Sequence, residues 1–276
     1  MSARRVTHLF VYPVKSLGGA SLAEATVGPR GLLHDREWMV VDADGQFITQ
    51  REVHALARVA TALTDDALTL SHPDHGAVTV PRERWSGGPR ATVRVWKDDC
   101  LAVDQGDDVA AWLSAVVSAR ARLVRMDDAH HRPSKRVREG ESVGVGFCDG
   151  YPLLFATRES LDDLNARLAS PMEMLRFRPN VVVEGCEAPW EEDRWGAFTI
   201  GAVGFEAVKP CVRCVITTLD PVTGESTGRE PLATLAKMHR GEGAALFGMN
   251  VNHYGRGVIR VGDALDGLTI GAPVSL

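Results

Sequence analysis

Cysteine is scarce in this sequence: five residues among 276, at positions 100, 148, 186, 211 and 214. An odd, sparse set excludes the dense, even-numbered disulfide framework of a small secreted domain. The thiols are therefore expected to be reduced, and any special one has to be recognised from its neighbours. Long apolar runs are missing as well. No stretch of eighteen apolar residues occurs, so no membrane-spanning helix is predicted. The opening Met1-Ser2-Ala3-Arg4-Arg5 carries no apolar signal-peptide core. Positive charge is not in excess: 31 Lys and Arg stand against 36 Asp and Glu, for a net charge of −5, which argues against nucleic acid as a partner. Repeats and low-complexity tracts are absent. With 45% apolar and 24% charged residues, wholesale disorder is excluded too. The expectation is a cytoplasmic globular protein with no nucleic-acid or membrane partner.

What the sequence does contain is turns, with 27 glycines and 14 prolines, and short β signals between them. Segments 38–41 and 46–49 flank Asp42-Ala43-Asp44-Gly45, which predicts a hairpin turned by Asp-Gly. Further strands are predicted at 67–71, 77–80, 92–96, 123–126, 180–184, 204–209 and 258–261. One helix stands out: Val109, Trp112, Leu113, Val116 and Val117 make an apolar stripe begun by Asp107 or Asp108. A second helix is predicted after Thr157, with Leu161, Leu164 and Leu168, and a third begins at Pro231. Residues 127–140 include His130-His131-Arg132-Pro133-Ser134-Lys135-Arg136-Val137-Arg138 and read as a solvated connector. The fold class is α+β and β-rich, with a few helices on barrels or curled sheets.

The most pointed chemistry lies in Lys209-Pro210-Cys211-Val212-Arg213-Cys214-Val215-Ile216-Thr217-Thr218. A Cys-x-x-Cys pair leaves several readings open. A zinc site needs two more ligands at suitable spacing, and none follows. A thioredoxin-like redox pair opens a helix, whereas the β-branched run after Cys214 predicts a strand. In a third reading one thiolate ligates a soft metal or attacks a substrate, helped by Lys209 and Arg213. The plain alternative is two half-buried cysteines at a strand edge. Elsewhere, Lys15 and Ser16 end an apolar strand and Arg36 opens the hairpin. Arg178 and Asn180 would share one face of an extended strand. Guanidinium, ammonium and hydroxyl groups suit a phosphate, although each alone reads as a surface ion-pair partner.

Taken together, these segments resemble the MOSC family, the molybdenum cofactor sulfurase C-terminal-like proteins, in the two-domain branch that includes the mitochondrial amidoxime reducing component. The resemblance runs over nearly the whole chain. It is carried by Tyr12-Pro13-Val14-Lys15-Ser16, Gly31-Leu32-Leu33-His34-Asp35-Arg36, Phe47-Ile48-Thr49-Gln50-Arg51 and Phe177-Arg178-Pro179-Asn180. It continues through Lys209-Pro210-Cys211-Val212-Arg213-Cys214, Pro231-Leu232-Ala233-Thr234-Leu235, Phe247-Gly248 and Val261-Gly262-Asp263. The resemblance implies an N-terminal β-barrel-like domain at 1–127 and a MOSC-type β-barrel domain with peripheral helices at 128–276.

It further implies a molybdenum cofactor of the molybdopterin type. Cys214 would supply the thiolate to molybdenum and stand as the catalytic cysteine. Lys15, Ser16 and Arg36 match positions at the pterin's phosphate end, and Arg178 and Asn180 match further cofactor contacts. Asp149, Gly150 and Tyr151 occupy a cofactor-lining turn that uses backbone groups. Two departures from the family pattern are Val212, where a hydroxylic residue is common, and His54, where a proline usually follows Thr49-Gln50-Arg51. No built-in iron–sulfur cluster is expected, nor pyridoxal phosphate. The implied activity is reduction of N-hydroxylated or N-oxide compounds, with electrons from an external electron-transfer protein or reductase. Alternatives are a non-catalytic carrier of the cofactor or of sulfur, and a zinc or thiol-redox protein.

Overall fold

The computed structural model describes residues 3–274. Its largest sheet has eight strands, and it draws on both ends of the chain. Along the sheet the order is Ala197–Ile200, Val203–Val212, Ala244–Tyr254, Leu153–Thr157, Val181–Glu184, Arg5–Val11 and Ala20–Leu22, with Arg240–Gly241 paired to the edge of Ala244–Tyr254. Pairing is antiparallel except between Leu153–Thr157 and Val181–Glu184. That parallel pair needs a crossover, and the helix Arg158–Asn165 lies within it. Thr157 caps this helix by accepting the Ser160 amide, as its position in the sequence suggests.

Strand pairing crosses residue 127 of the expected division. Arg5–Val11 pairs with Val181–Glu184, and Glu24–Gly28 pairs with Gly257–Arg260. Accordingly Val6, Leu9, Ala25, Val27 and Leu32 are buried in one cluster with Phe155, Trp195, Phe198, Phe205 and Met249. Burying each such aliphatic side chain contributes about 1.5–3 kcal/mol before entropy is counted. The rest of the first half makes its own sheets. One joins Trp38–Val41, Arg122–Met126, Asp98–Asp104 and Arg90–Val95; another joins Ala60–Leu63, Ala67–His72 and Gly76–Pro81. The helix Asp107–Val117 packs Val109, Leu113, Val116 and Val117 onto them. Its N-cap is Gly106, with Asp107 and Asp108 in the first turn. Among the described residues the fold is thus β-rich, with four short α-helices around curled sheets, and no described helix is long and apolar enough to cross a membrane.

Several expectations differ from the structure. The hairpin turn at Gly45 forms, with φ of +76°, but its return arm makes only isolated bridges, to Val41 and to Arg94. The arm is shared between two neighbours and so extends no single ladder. After Cys214 the chain turns into a 3₁₀ helix, Val215–Thr218, rather than a strand. Hydroxyls explain this: Thr217 and Thr218 bond back to the carbonyls of Cys214 and Val215, an option that competes with a ladder. Arg178 sits in left-handed backbone at φ of +56°, just before Val181–Glu184 begins, so strand alternation does not relate it to Asn180.

The connector at 127–140 is irregular but not solvated throughout. Arg132 is buried and donates to the carbonyls of Gly146 and Cys148 and to Asp98. Because the first strand fills a place in the C-terminal sheet, residues 128–276 alone are expected to lack cooperative folding. Circular dichroism and urea titration of that fragment, with and without residues 3–32 added as a peptide, check this. A cooperative transition without the peptide would overturn it.

Candidate functional site

A cleft with about 820 Å³ of empty space, its open mouth included, lies where the two halves meet. Lys15, Ser16, Arg36, Asp149, Gly150, Tyr151, Arg178, Asn180 and Cys214 all line it. The structure therefore brings together every site residue expected from the sequence. It adds Arg51, which chain position alone did not single out, and brings in Arg213, expected only as a cation helping the thiolate. The lining holds five cations, Lys15, Arg36, Arg51, Arg178 and Arg213, against one carboxylate, Asp149. This is a concentrated positive site on a protein of net charge −5.

Local folding explains how each group arrives. After Arg5–Val11 the chain crosses to the neighbouring sheet: the Lys15 amide donates to the Trp38 carbonyl, and Trp38 returns a bond to Pro13. Asp35 is buried and accepts the Tyr12 amide at 2.9 Å while receiving Arg36 Nη1 on both oxygens, at 2.9 and 2.7 Å. Arg36 also donates to Asn180 Oδ1 and to the Arg178 carbonyl. The loop carrying Asp149 closes on this corner at Gly146, where a Cβ would stand 2.6 Å from the Arg36 carbonyl. Phe147 donates its amide to that carbonyl at 2.7 Å. Eight described non-glycine residues have positive φ, and three of them, Ser16, Arg36 and Arg178, line the cleft. Left-handed backbone at such residues costs roughly 1–2 kcal/mol each, and held conformations of this kind cluster at functional sites.

The side chains divide by task. Asn180 lines the cleft, but its amide is committed to stitching: Oδ1 accepts from Leu154 and Arg36, and Nδ2 donates to Phe10. Tyr12 lies between two guanidiniums, with Arg36 and Arg178 at 4.3 and 4.2 Å from its ring centroid. Its hydroxyl is buried without a partner, and burial pushes it up to about 12. Arg178 donates to the Leu17 carbonyl, yet its Nη2 has no partner, and neither has Arg213 Nε. Burial, with Arg36 beside it, lowers Arg178 to about 10.

Lys15 Nζ pairs with Asp149. Burial lowers Lys15 from its ordinary value, opposed by that carboxylate. Enclosure would raise Asp149, but the Lys15 charge and bonds from Lys15 and Trp96 hold its carboxyl well below the usual range. The Asp149 side chain still shows 59% of its surface at the mouth. Its carboxylate is thus in use, beyond the backbone role expected of this turn. Gly150 contributes its carbonyl to Lys135 and Ser134, and Tyr151 its carbonyl to Cys148 Sγ.

The two cysteines of the Cys-x-x-Cys pair face different partners. Cys211 Sγ receives Arg213 Nη1 at 2.9 Å, and Cys214 Sγ receives Arg51 Nη2 at 3.5 Å. The cation beside Cys214 is therefore Arg51, not Lys209 or Arg213. Arg51 Nη2 also stands 3.5 Å from Asp149 Oδ2, and its guanidinium lies 4.9 Å from the Trp96 ring centroid. All five cysteines are free. No group of three or more His, Cys, Asp or Glu among the described residues could hold a metal, so a zinc site made only of protein ligands is not built here. Of the three cysteines on the lining, Cys148 donates to the Tyr151 carbonyl and Cys211 is held by Arg213 of its own strand. Cys214, beside Arg51 and near the unpartnered donors of Arg178 and Arg213, fits a ligand that brings both a soft metal and an anionic phosphate.

Comparisons with known proteins agree on the family. The family model for the MOSC N-terminal beta barrel domain matches residues 3–120, and that for the MOSC domain matches residues 142–266. Mitochondrial amidoxime reducing component 2 of Rattus norvegicus is 36% identical over 277 residues, spanning 94% of this chain and 81% of its own length. Mitochondrial amidoxime-reducing component 1 of Mus musculus is 35% identical, spanning 94% and 80%. Mitochondrial amidoxime reducing component 2 of Homo sapiens is 33% identical, spanning 94% and 82%.

Two substitutions test the geometry. Tyr12→Phe removes an unpartnered buried hydroxyl and is expected to leave stability unchanged or raised by up to about 1 kcal/mol. Tyr12→Ala opens a cavity between the guanidiniums and is expected to lose about 3–5 kcal/mol. Urea denaturation measures both. In Asp149→Asn the opposing carboxylate is gone while burial of Lys15 remains, so the Lys15 ammonium is expected to titrate at a lower pH than in the parent protein. Carbon-13 NMR of the lysine side chain checks the sign, and a midpoint that stays or rises would refute the pairing.

Proposed function

We propose that this chain, which belongs to the family of two-domain MOSC proteins that includes the mitochondrial amidoxime reducing components, is an oxidoreductase that binds a molybdopterin-type molybdenum cofactor and reduces N-hydroxylated or N-oxide compounds. The observation that carries the reading is the cleft itself: five cations converge on a lining with three thiols, Cys148, Cys211 and Cys214, and buried donors of Arg178 and Arg213 lack any protein acceptor. Unsatisfied buried donors are destabilising, so an anionic ligand with several acceptor oxygens suits this lining.

Lys15, Ser16, Arg36 and Arg178 would hold the phosphate end, with Asn180 keeping Arg36 aimed. Cys214 would ligate the metal, and it is the candidate catalytic residue. When bound, the cofactor supplies two-electron redox chemistry and an acceptor for oxygen. Reduction of an N–OH bond to N–H consumes two electrons and two protons and releases water. The electrons come, in this reading, from a separate reductase or electron-transfer protein. Arg51 donates to the Cys214 sulfur and would hold it in position for ligation. Asp149 anchors Lys15 and Arg51 from the mouth and keeps both from turning outward. Val212, Val215 and Trp96 are exposed and make an apolar rim near Cys214. The five free thiols fit a reducing compartment, and the cytoplasm is our reading of location. The division into domains at 1–127 and 128–276 is likewise our reading of the chain order.

The test begins with molybdenum analysis of protein purified from a host that makes the cofactor. Near-stoichiometric molybdenum is expected in the parent, none in Cys214→Ala, and largely retained metal in Cys211→Ala, whose thiol is tied to Arg213. With reduced viologen as donor, the parent is expected to reduce a hydroxylamine, and Cys214→Ala to be inactive. Molybdenum without turnover would favour a carrier of the cofactor or of sulfur. Absence of molybdenum from the parent would refute the molybdoenzyme reading.

A further inference from the structure

A second cavity, larger than the cleft, adjoins it behind Arg178 and Ile216, the two residues that line both. It holds about 1270 Å³ of empty space counted the same way. Cys214, Lys15 and Asp149 do not line it. Its lining contains three guanidiniums, Arg58, Arg176 and Arg178, together with His72, and no carboxylate. Val59, Leu175, Leu219 and Pro221 make much of the remaining wall apolar.

The polar atoms on these walls are unbalanced in one direction. Tyr12 OH, His72 Nε2, Arg176 Nε and Arg178 Nη2 are all buried without a partner, and all four residues line this cavity. Arg176 Nε and Arg178 Nη2 can only donate. His72 Nδ1 accepts the Asp74 amide at 3.1 Å, so in the neutral ring the proton sits on Nε2, which is then a donor as well. The tyrosine hydroxyl can donate or accept. Three groups that can only donate, on a cavity whose side-chain acceptors are confined to Tyr12, Gln50 and Ser71, favour an acceptor from outside the chain. The partners these side chains do have are mostly at their outer nitrogens and leave Arg176 Nε and Arg178 Nη2 unmet: Arg176 Nη1 reaches the Leu219 carbonyl at 2.7 Å, Arg176 Nη2 stands 3.5 Å from Asp220 Oδ2, and Arg178 Nη1 reaches the Leu17 carbonyl at 2.8 Å.

We propose that this cavity binds a small amphipathic carboxylate, an aliphatic or aryl acid, separately from the cofactor cleft. The apolar wall takes the hydrocarbon body, and the arginine cluster takes the carboxylate, whose two oxygens match a guanidinium fork. Arg58, whose side chain is 34% exposed, is the accessible member of the cluster, and its carboxylate partner Asp74 lies at the surface. Ala60 lines the cavity with an exposed side chain, so a large residue there fills the space without disturbing the core.

Isothermal titration of the full chain with octanoate, and with octanol as its neutral counterpart, tests the proposal. Octanoate is expected to bind, with octanol weaker by about ten-fold or more, the loss expected when a charge-assisted hydrogen bond is removed. Arg58→Gln is expected to weaken octanoate by a similar factor, Ala60→Trp to abolish its binding, and Lys15→Gln to leave it unchanged. Should Ala60→Trp fail to give the parent circular dichroism spectrum, Arg58→Gln and the octanol comparison carry the test. Equal affinity for octanol would reduce the cavity to an apolar void and overturn the proposal. Binding lost in Lys15→Gln but kept in Arg58→Gln would move the anion to the cofactor cleft, and no binding of octanoate would end the idea.

Discussion

The pairing of Arg5–Val11 with Val181–Glu184 is the contact on which the cleft depends. It threads the start of the chain into a sheet otherwise built mostly from the second half, with Val6 and Leu9 buried in that sheet's core. Once the strand is fixed, Tyr12 to Ser16 must emerge at its far end, beside residues 178–180 of the adjoining strand's approach. The Phe10 amide to the Asn180 carbonyl, and the Asn180 side chain to the Phe10 carbonyl, lock that junction from both directions. Arg36 is then drawn in by Asp35 and by Asn180. A cluster of groups from residues 15–51 thus reaches Cys214 because one strand crosses between halves.

Gathering five cations on one surface is unfavourable on its own. Like charges repel, and burial removes the water that would solvate them. The structure meets this with local oxygen atoms instead of a matching set of carboxylates. Asp35 neutralises Arg36, whereas Arg178 and Arg213 rest mainly on main-chain carbonyls of Leu17 and Phe177. The Tyr12 ring separates Arg36 from Arg178 and gives each a π face. Carbonyls orient a guanidinium without cancelling its charge, so the cleft retains a net positive field. The same logic extends behind Arg178, where the second cavity again has donors in excess. Arg178 stands on both walls, so an anion on either side relieves the same buried charge.

Much of this was legible in the sequence, and the limits are physical. Alternating and apolar segments located the short strands around 67–71 and 92–96, and the 3.6 period located the helix Asp107–Val117. The longest strand, Ala244–Tyr254, was legible only as Phe247-Gly248. It carries Gly248, Asn250 and Asn252, residues that weaken a β signal. In the fold these asparagines bond across strands and loops, Asn250 to the Lys209 carbonyl and Asn252 to the Arg136 carbonyl and Ser134. The site residues were legible from motifs, but Arg51 as the neighbour of Cys214 was not, because 163 positions separate them. Nor could spacing reveal that Ser16, Arg36 and Arg178 hold left-handed backbone. Each is a side chain that favours other conformations, and only tertiary contacts keep it there.

The Cys-x-x-Cys pair shows how local geometry separates two chemically identical groups. Through Val212 the chain is extended, and residues two apart share a side of a strand. Cys211 and Arg213 meet on that principle, and Arg213 caps the Cys211 sulfur. Arg213 is fixed in turn by its amide to the Ala245 carbonyl and by Nη2 to the Phe177 carbonyl. Then the chain leaves the ladder. Cys214 precedes the 3₁₀ turn, and its carbonyl receives both the amide and the hydroxyl of Thr217. The turn ends the alternation, so the second sulfur is not drawn to the partner of the first and meets Arg51 from the other half of the chain. A redox couple needs two thiols that share one environment and exchange electrons with each other. Here both sulfurs line the cationic cleft, but one is held by a guanidinium of its own strand and the other by a guanidinium from the far half of the chain, an asymmetry that suits a single ligand better than a dithiol switch.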